Sequence, residues 1–167
     1  SIPAIIRPDI IPTDSGYMIT ELDAVPGGFG LTGALLDAYH DDSALPANEP
    51  MRNCMVDGFA DMIRHTANSD GATDNPIVLA IVVSEEAKDY RHEMAWLATQ
   101  LRESGILSYA VTPQEIQFTE DELRISANGI TRSITVLYRF FELFDLKNIP
   151  KTELIMYSNK KGRVAVT

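Results

Sequence analysis

The stretch "PIVLAIVVS", residues 76–84, restricts the fold more than any other part of the chain. Its apolar residues run on without alternation between a proline and a serine. A strand of that kind is buried on both faces, the habit of a parallel sheet covered by helices. The residues beyond it fit the same plan. Ser84 supplies an N-cap oxygen, and Glu85 and Glu86 fall in the first turn, where the helix dipole favours carboxylates. Ala87, Tyr90, Met94, Leu97, Ala98 and Leu101 then recur at helical spacing. Gly105 suits a helix C-terminus, and "ILSYAVT" begins another strand. The pattern predicts a βαβ unit over 76–111 and places the chain in the α/β class with a Rossmann-like core.

Upstream, "AIIRPDIIPT" and "YMITELDAV" are β-rich runs separated by Asp14-Ser15-Gly16, a turn tripeptide, and read as a hairpin within residues 1–26. Pro8 and Pro12 lack a ladder N–H, which sends the first run to an edge. "LTGALLDAYH" and "MRNCMVDGFADMIRHTA" give a helical segment over 31–67, with Met51, Met55, Phe59, Met62 and Ile63 on one face. "TANSDGATDNP" is a polar loop. Downstream, "IQFTEDELRIS" predicts a small hairpin and "ANG" a turn. A strand at 133–139 should lead to a short helix around "FELFD", "PKTELIMYS" is helical with Pro150 at its start, and "RVAVT" is a last strand. These make an α/β core over 76–167, within a single domain of 167 residues.

The net charge is −10 with a single cysteine, Cys54. A nucleic-acid surface needs a basic stripe, and "NKKGR" is too short to make one. One cysteine excludes a disulfide framework and a thiolate metal cluster. No apolar run approaches the roughly 20 residues that cross a bilayer, and no secretory signal opens the chain, so a reducing cytoplasm is expected. Because it begins without Met and stops in the strand-like "GRVAVT", the chain is expected to be a piece of a longer protein, with processing as the alternative.

Gly28-x-Gly30-x-x-Gly33 fits a dinucleotide fingerprint by spacing alone. That fingerprint also needs a following strand and an acidic residue about 20 positions on. Here "PANEP" and a second helix follow instead, and the βαβ unit at 76–111 has "SEEAKD" at its turn. The absence of Gly-Lys-Ser/Thr excludes a Walker loop. Two readings remain open: glycines that allow a tight turn onto a helix, and a loop that brings backbone N–H groups to a ligand.

Alternation places Arg7 and Asp9 on one face of the first run, and Glu21 and Asp23 on one face of the second. With a three-residue turn at 14–16, Arg7 faces Asp23 and Asp9 faces Glu21. One guanidinium and three carboxylates then meet beside the glycine loop. Two directly opposed carboxylates call for a cation, a proton or the arginine between them. The functional reading is a site for a substrate amine or for Mg²⁺ on oxygen ligands, with Glu21 and Asp23 as the metal pair. The structural alternative is a solvated hairpin face with weak ion pairs. His40, His65 and His92 share no ligand spacing. Arg139 ends a strand near Tyr138 and Glu142, where ligands of open α/β sheets bind, and a surface pair with Glu142 is the simpler account.

"RPDIIPTDSGYMITELDAVPGG" resembles the Arg-x-Asp, acidic-x-Asn/Asp, Pro-Gly stretch of the glutathionylspermidine synthase-like proteins, the circularly permuted ATP-grasp group. "KDYRHEMAWLATQLRESGI" is similar to the helix of their pre-ATP-grasp domain, and "VLYRFFELFDL" with "KKGRVAVT" to the lead-in to their ATP-grasp module. The resemblance implies an ATP-dependent carboxylate–amine ligase, in which an acyl phosphate forms and an amine attacks it. By position, Arg7, Asp9, Glu21 and Asp23 would line the site near substrate or metal. Gly27 and Gly28 would shape its wall, and Arg139 would face the cleft. Asp23 stands where the family often has Asn. ATP and Mg²⁺ belong to the full-length protein, whose C-terminal ATP-grasp half would be this chain's partner beside small carboxylate and amine substrates. The other readings are a non-catalytic binding or scaffold domain with an acidic ligand face, and a Rossmann-type nucleotide enzyme.

Overall fold

A computed structural model describes residues 4–40, 50–68, 76–142 and 146–167. Strands Arg7–Thr13 (β1) and Gly16–Asp23 (β2) form a two-stranded hairpin, followed by helices Phe29–His40 (α1) and Pro50–Asn68 (α2). Strand Val78–Val83 (β3), helix Arg91–Glu103 (α3) and strand Leu107–Val111 (β4) form the expected βαβ unit, with β3 and β4 parallel. Strands Gln117–Phe118 (β5), Leu123–Ala127 (β6) and Ile130–Ser133 (β7) make an antiparallel three-stranded sheet. Val136–Phe140 (β8), helix Thr152–Lys160 (α4) and Ala165–Val166 (β9) complete the chain. The parallel sheet has the order β4-β3-β8-β9. The architecture is therefore α/β, with one parallel sheet and two antiparallel ones. Among the described residues no helix is long and apolar enough to cross a membrane.

The unbroken apolar run explains the layering. All six residues of β3 are buried. Leu79, Ile81 and Val83 join Phe59 and Ile63 of α2 and Met94, Leu97 and Leu101 of α3 in one core. Val78, Ala80 and Val82 face a second core with Leu123, Ile125, Leu137 and Ile155. Strand alternation divides the run between two cores, which is why it shows no polar face. Gly105, at φ +85°, ends α3, and the Ile106 N–H donates to the Leu101 carbonyl at 2.9 Å. That bond ties off the helix and turns the chain into β4.

Four local expectations need correction. The hairpin turn has two central residues, Asp14 and Ser15, between the paired Thr13 and Gly16, and a bulge lies between Asp9 and Ile10. Ser84 does not start a helix: its Oγ accepts the Ala87 N–H at 3.3 Å, and a 3₁₀ turn at Lys88–Tyr90 comes before α3. The strand expected at 133–139 begins at Val136, and Ser133 ends β7 in a different sheet, because the Ile134 N–H donates to Leu123 and the next N–H, of Thr135, to Val78. Helix α4 begins at Thr152, after Lys151 in a left-handed conformation, so Pro150 precedes the helix. The Met51 side chain, most of the loop at 66–76 and the core of "FELFD" (143–145) lie outside the described residues.

Candidate functional site

Strand β3 has β4 on one side and β8 on the other, so the order reverses direction at β3. Open α/β sheets form a crevice beyond the carboxyl ends of the strands at such a point. A cleft of about 240 Å³ lies there. Ser84, Glu86 and Tyr90 line it after β3, and Phe140, Phe141 and Glu142 line it at the end of β8. The hairpin base and the loop after it close the cleft with Arg7, Asp23, Val25 and Gly27.

Arg7 organises the charged end of the hairpin. It pairs across the strands with Asp23, and Asp9 pairs with Glu21, the expected partners, reached through a two-residue turn and the bulge rather than a three-residue turn. Arg7 Nε lies 3.2 Å from Asp9 Oδ1, and Nη2 lies 3.3 Å from Asp23 Oδ2. Nη1 donates to the Gly27 carbonyl at 3.3 Å. The second oxygen of Asp23 accepts the Val25 N–H at 2.8 Å, fixing the turn out of β2. One guanidinium thus ties together both strands and the glycine loop. Asp23 is partly buried and Glu21 exposed.

Glu86 and Glu142 differ from these, because neither has an ion-pair partner among the described residues. Arg7 is shared between Asp9 and Asp23, so the cleft and its rim are net negative. Low-dielectric walls concentrate such a field on a cation. Tyr90 and Phe140 meet edge to face at 5.6 Å and add an aromatic wall. Ring faces and unpaired carboxylates together suit an ammonium group carried on carbon.

The glycine pattern is a packing device. Gly28 adopts φ +94°. A Cβ on Gly30 would lie 2.6 Å from Glu93 Cα, and one on Gly33 would lie 2.1 Å from the Trp96 ring. Both glycines let α1 press against α3. The Gly30 N–H donates to Glu93 Oε2 at 3.2 Å, so the chain's own carboxylate occupies the N-terminus of α1. The tight-turn reading thus fits Gly28, while Gly30 and Gly33 serve close packing of α1 on α3. Gly27 alone reaches the cleft, and a Cβ there would meet the Tyr90 ring at 2.2 Å.

Of the residues singled out from sequence, Arg7, Asp23 and Gly27 line the cleft, while Asp9 and Glu21 lie beside it on the hairpin. Gly28 shapes the turn behind it. Arg139 is not among the lining residues, and its Nη1 donates to the Phe141 carbonyl at 3.0 Å. For the tentative metal pair, both Asp23 oxygens are engaged, and no group of three or more His, Cys, Asp and Glu placed to hold a metal occurs among the described residues. Sequence reasoning missed Glu86, Tyr90 and Phe140 as lining residues. The signal for them was position, just beyond a buried parallel strand or at its last residue. Compared with known proteins, the chain matches no family model and no curated sequence.

Proposed function

We propose that the chain is the substrate-side portion of an ATP-dependent carboxylate–amine ligase, with the Rossmann-like arrangement of a pre-ATP-grasp domain. The cleft over β3 and β8 receives the amine-bearing substrate. The observation that carries this reading is the pair of unpartnered carboxylates, Glu86 and Glu142, beside an aromatic wall at the point where strand order reverses. An ammonium seated there loses a proton before it can attack an acyl phosphate, and these two carboxylates are the cleft's available acceptors. Arg7, held by Asp9 and Asp23, keeps the hairpin seated over the cleft. ATP and Mg²⁺ would enter with the ATP-grasp half.

A second reading, a non-catalytic domain that holds a cationic ligand, uses the same cleft. It is favoured by the three protein contacts of Arg7, which give that residue a structural task. Calorimetric titration with spermidine, Mg²⁺, ATP and NAD tests the site. The expected result is spermidine binding, weakened at least tenfold in Glu86→Gln/Glu142→Gln with the circular dichroism spectrum unchanged. A folded protein that gives no heat with spermidine refutes the amine cleft. Heat with NAD, accompanied by amide NMR shifts in the loop at 27–33, would reinstate a nucleotide enzyme.

A further inference from the structure

The opposite end of the parallel sheet carries a larger hollow of about 570 Å³. It opens where Val78 starts β3 and Leu107 starts β4, beside the chain leading into β8 and β9. We propose that this hollow binds a phosphorylated small molecule through its phosphate, with Arg132 and Arg163 as the anchoring side chains. The proposal is independent of the amine cleft.

Charge is the first argument. The chain has 24 acidic residues against 14 lysines and arginines, yet among the described residues no carboxylate lines this hollow, and two arginines do. Neither guanidinium has a carboxylate partner among the described residues. Glu122, next to β6, is already paired with Arg124.

Unmet hydrogen bonding is the second argument. Arg132 lines the hollow, and its guanidinium has no hydrogen-bond or ion-pair partner among the described residues; Nε is shut off from solvent, so the two outer nitrogens are the ones a ligand can reach. Arg163 lies over the Tyr157 ring at 5.6 Å, and its guanidinium has no hydrogen-bond or ion-pair partner among the described residues. Thr135 Oγ1 accepts the Val78 N–H at 3.2 Å, so its own hydrogen remains to be donated. The free polar groups at this end are therefore chiefly donors. An acceptor-only group with several oxygens answers them, and arginine's planar fork matches phosphate.

Size is the third. The volume falls within the roughly 300–1,000 Å³ of small-molecule sites, more than a bare phosphate needs. Val78, Leu107 and Ile134 offer an apolar wall for an organic body.

The test titrates inorganic pyrophosphate and adenosine diphosphate separately into the whole chain at low salt. Both should bind, with affinity falling as salt rises and at least tenfold in Arg132→Gln/Arg163→Gln. Glu86→Gln/Glu142→Gln should leave binding unchanged. Equal affinity for the two probes assigns recognition to the phosphate groups alone, and tighter adenosine diphosphate binding places the organic body against the apolar wall; both support the site. No binding at millimolar concentration overturns it, as does binding that ignores the double substitution. Should that variant fail to fold, amide NMR shifts in the unaltered protein decide. Changes at residues 131–135 and 162–165 support the site, and changes confined to residues 84–90 and 140–142 overturn it.

Discussion

Replacing Gly30 with alanine puts a methyl carbon 2.6 Å from Glu93 Cα, a backbone atom that no rotamer change can move. To reach ordinary contact, α1 must back away from α3 by roughly 1 Å, and such overpacking costs about 1–3 kcal/mol. The same shift stretches the Gly30 N–H bond to Glu93 Oε2, now 3.2 Å, and a hydrogen bond to a charged group is worth about 1.5–3 kcal/mol. Partial loss of the second term brings the expected destabilisation to about 2–4 kcal/mol. Gly58, inside α2, is the control, since its Cβ would meet nothing within 4 Å. Alanine there should stabilise by about 0.5–1 kcal/mol through helix propensity alone. In a chain of this size 1 kcal/mol moves Tm by about 2–4 °C, so the two variants should differ by several degrees in opposite directions. Thermal and urea unfolding read both. If Gly30→Ala matches or exceeds the parent in stability, α1 does not pack on α3 through its glycines, and the ligand-cradle reading of the loop returns.

Two further perturbations test the electrostatics. Burial pushes the Tyr138 hydroxyl well above the ordinary tyrosine range, and that hydroxyl has no hydrogen-bond partner. Tyr138→Phe should stabilise the protein by about 1 kcal/mol at neutral pH, because it removes a buried unpaired group. The parent should lose stability as pH rises above 10, where the unfolded phenol ionises and the folded one resists; the variant should lose less in an alkaline unfolding series. At the acid end, Glu122 is held below its ordinary 4.5 by the Ser133 hydrogen bond and by Arg124. Its contribution is complete above 4.5 and disappears as pH falls through the lower folded value, so Glu122→Gln should flatten the acid limb of the stability profile. An unchanged limb would show that Glu122 is not coupled to folding.

The sequence carried the sheet and the charged end of the hairpin further than it carried the connections. A run buried on both faces has few alternatives, so β3 and its helix were legible. Side-chain parity put Arg7 with Asp9 and Glu21 with Asp23, but Arg7 opposite Asp23 was expected from a three-residue turn; the turn has two residues, and the bulge beside Asp9 restores that pairing. The start of α3 did not follow, because Ser84 does cap an N–H, that of Ala87, but the chain passes through a 3₁₀ turn before it becomes helical. Local chemistry at a cap is the same for a turn as for a helix. The division between β7 and β8 left no mark in composition, since Ile134 and Thr135 exchange sheets without a turn residue between them. As for the cleft, Glu142 stood out in sequence only as a neighbour of Arg139 at a strand end, and Glu86 only as a first-turn carboxylate. Only the order of strands, a long-range property, brings them to one place.

The hairpin bulge separates the tip of the ribbon from its root. Near the tip the paired residues are Thr13 with Gly16 and Ile10 with Ile19, whereas at the base they are Asp9 with Glu21 and Arg7 with Asp23. Thr20 is the extra residue, and its hydroxyl donates to the Asp9 carbonyl at 3.2 Å. The ribbon therefore behaves like a shaft with a clutch. The tip can be recut, with another two-residue turn or a pair of residues added to each strand, while the coupling at Thr20 keeps Arg7 engaged with Asp23. Length in this part of the molecule is free to drift while the charge geometry at its root stays fixed.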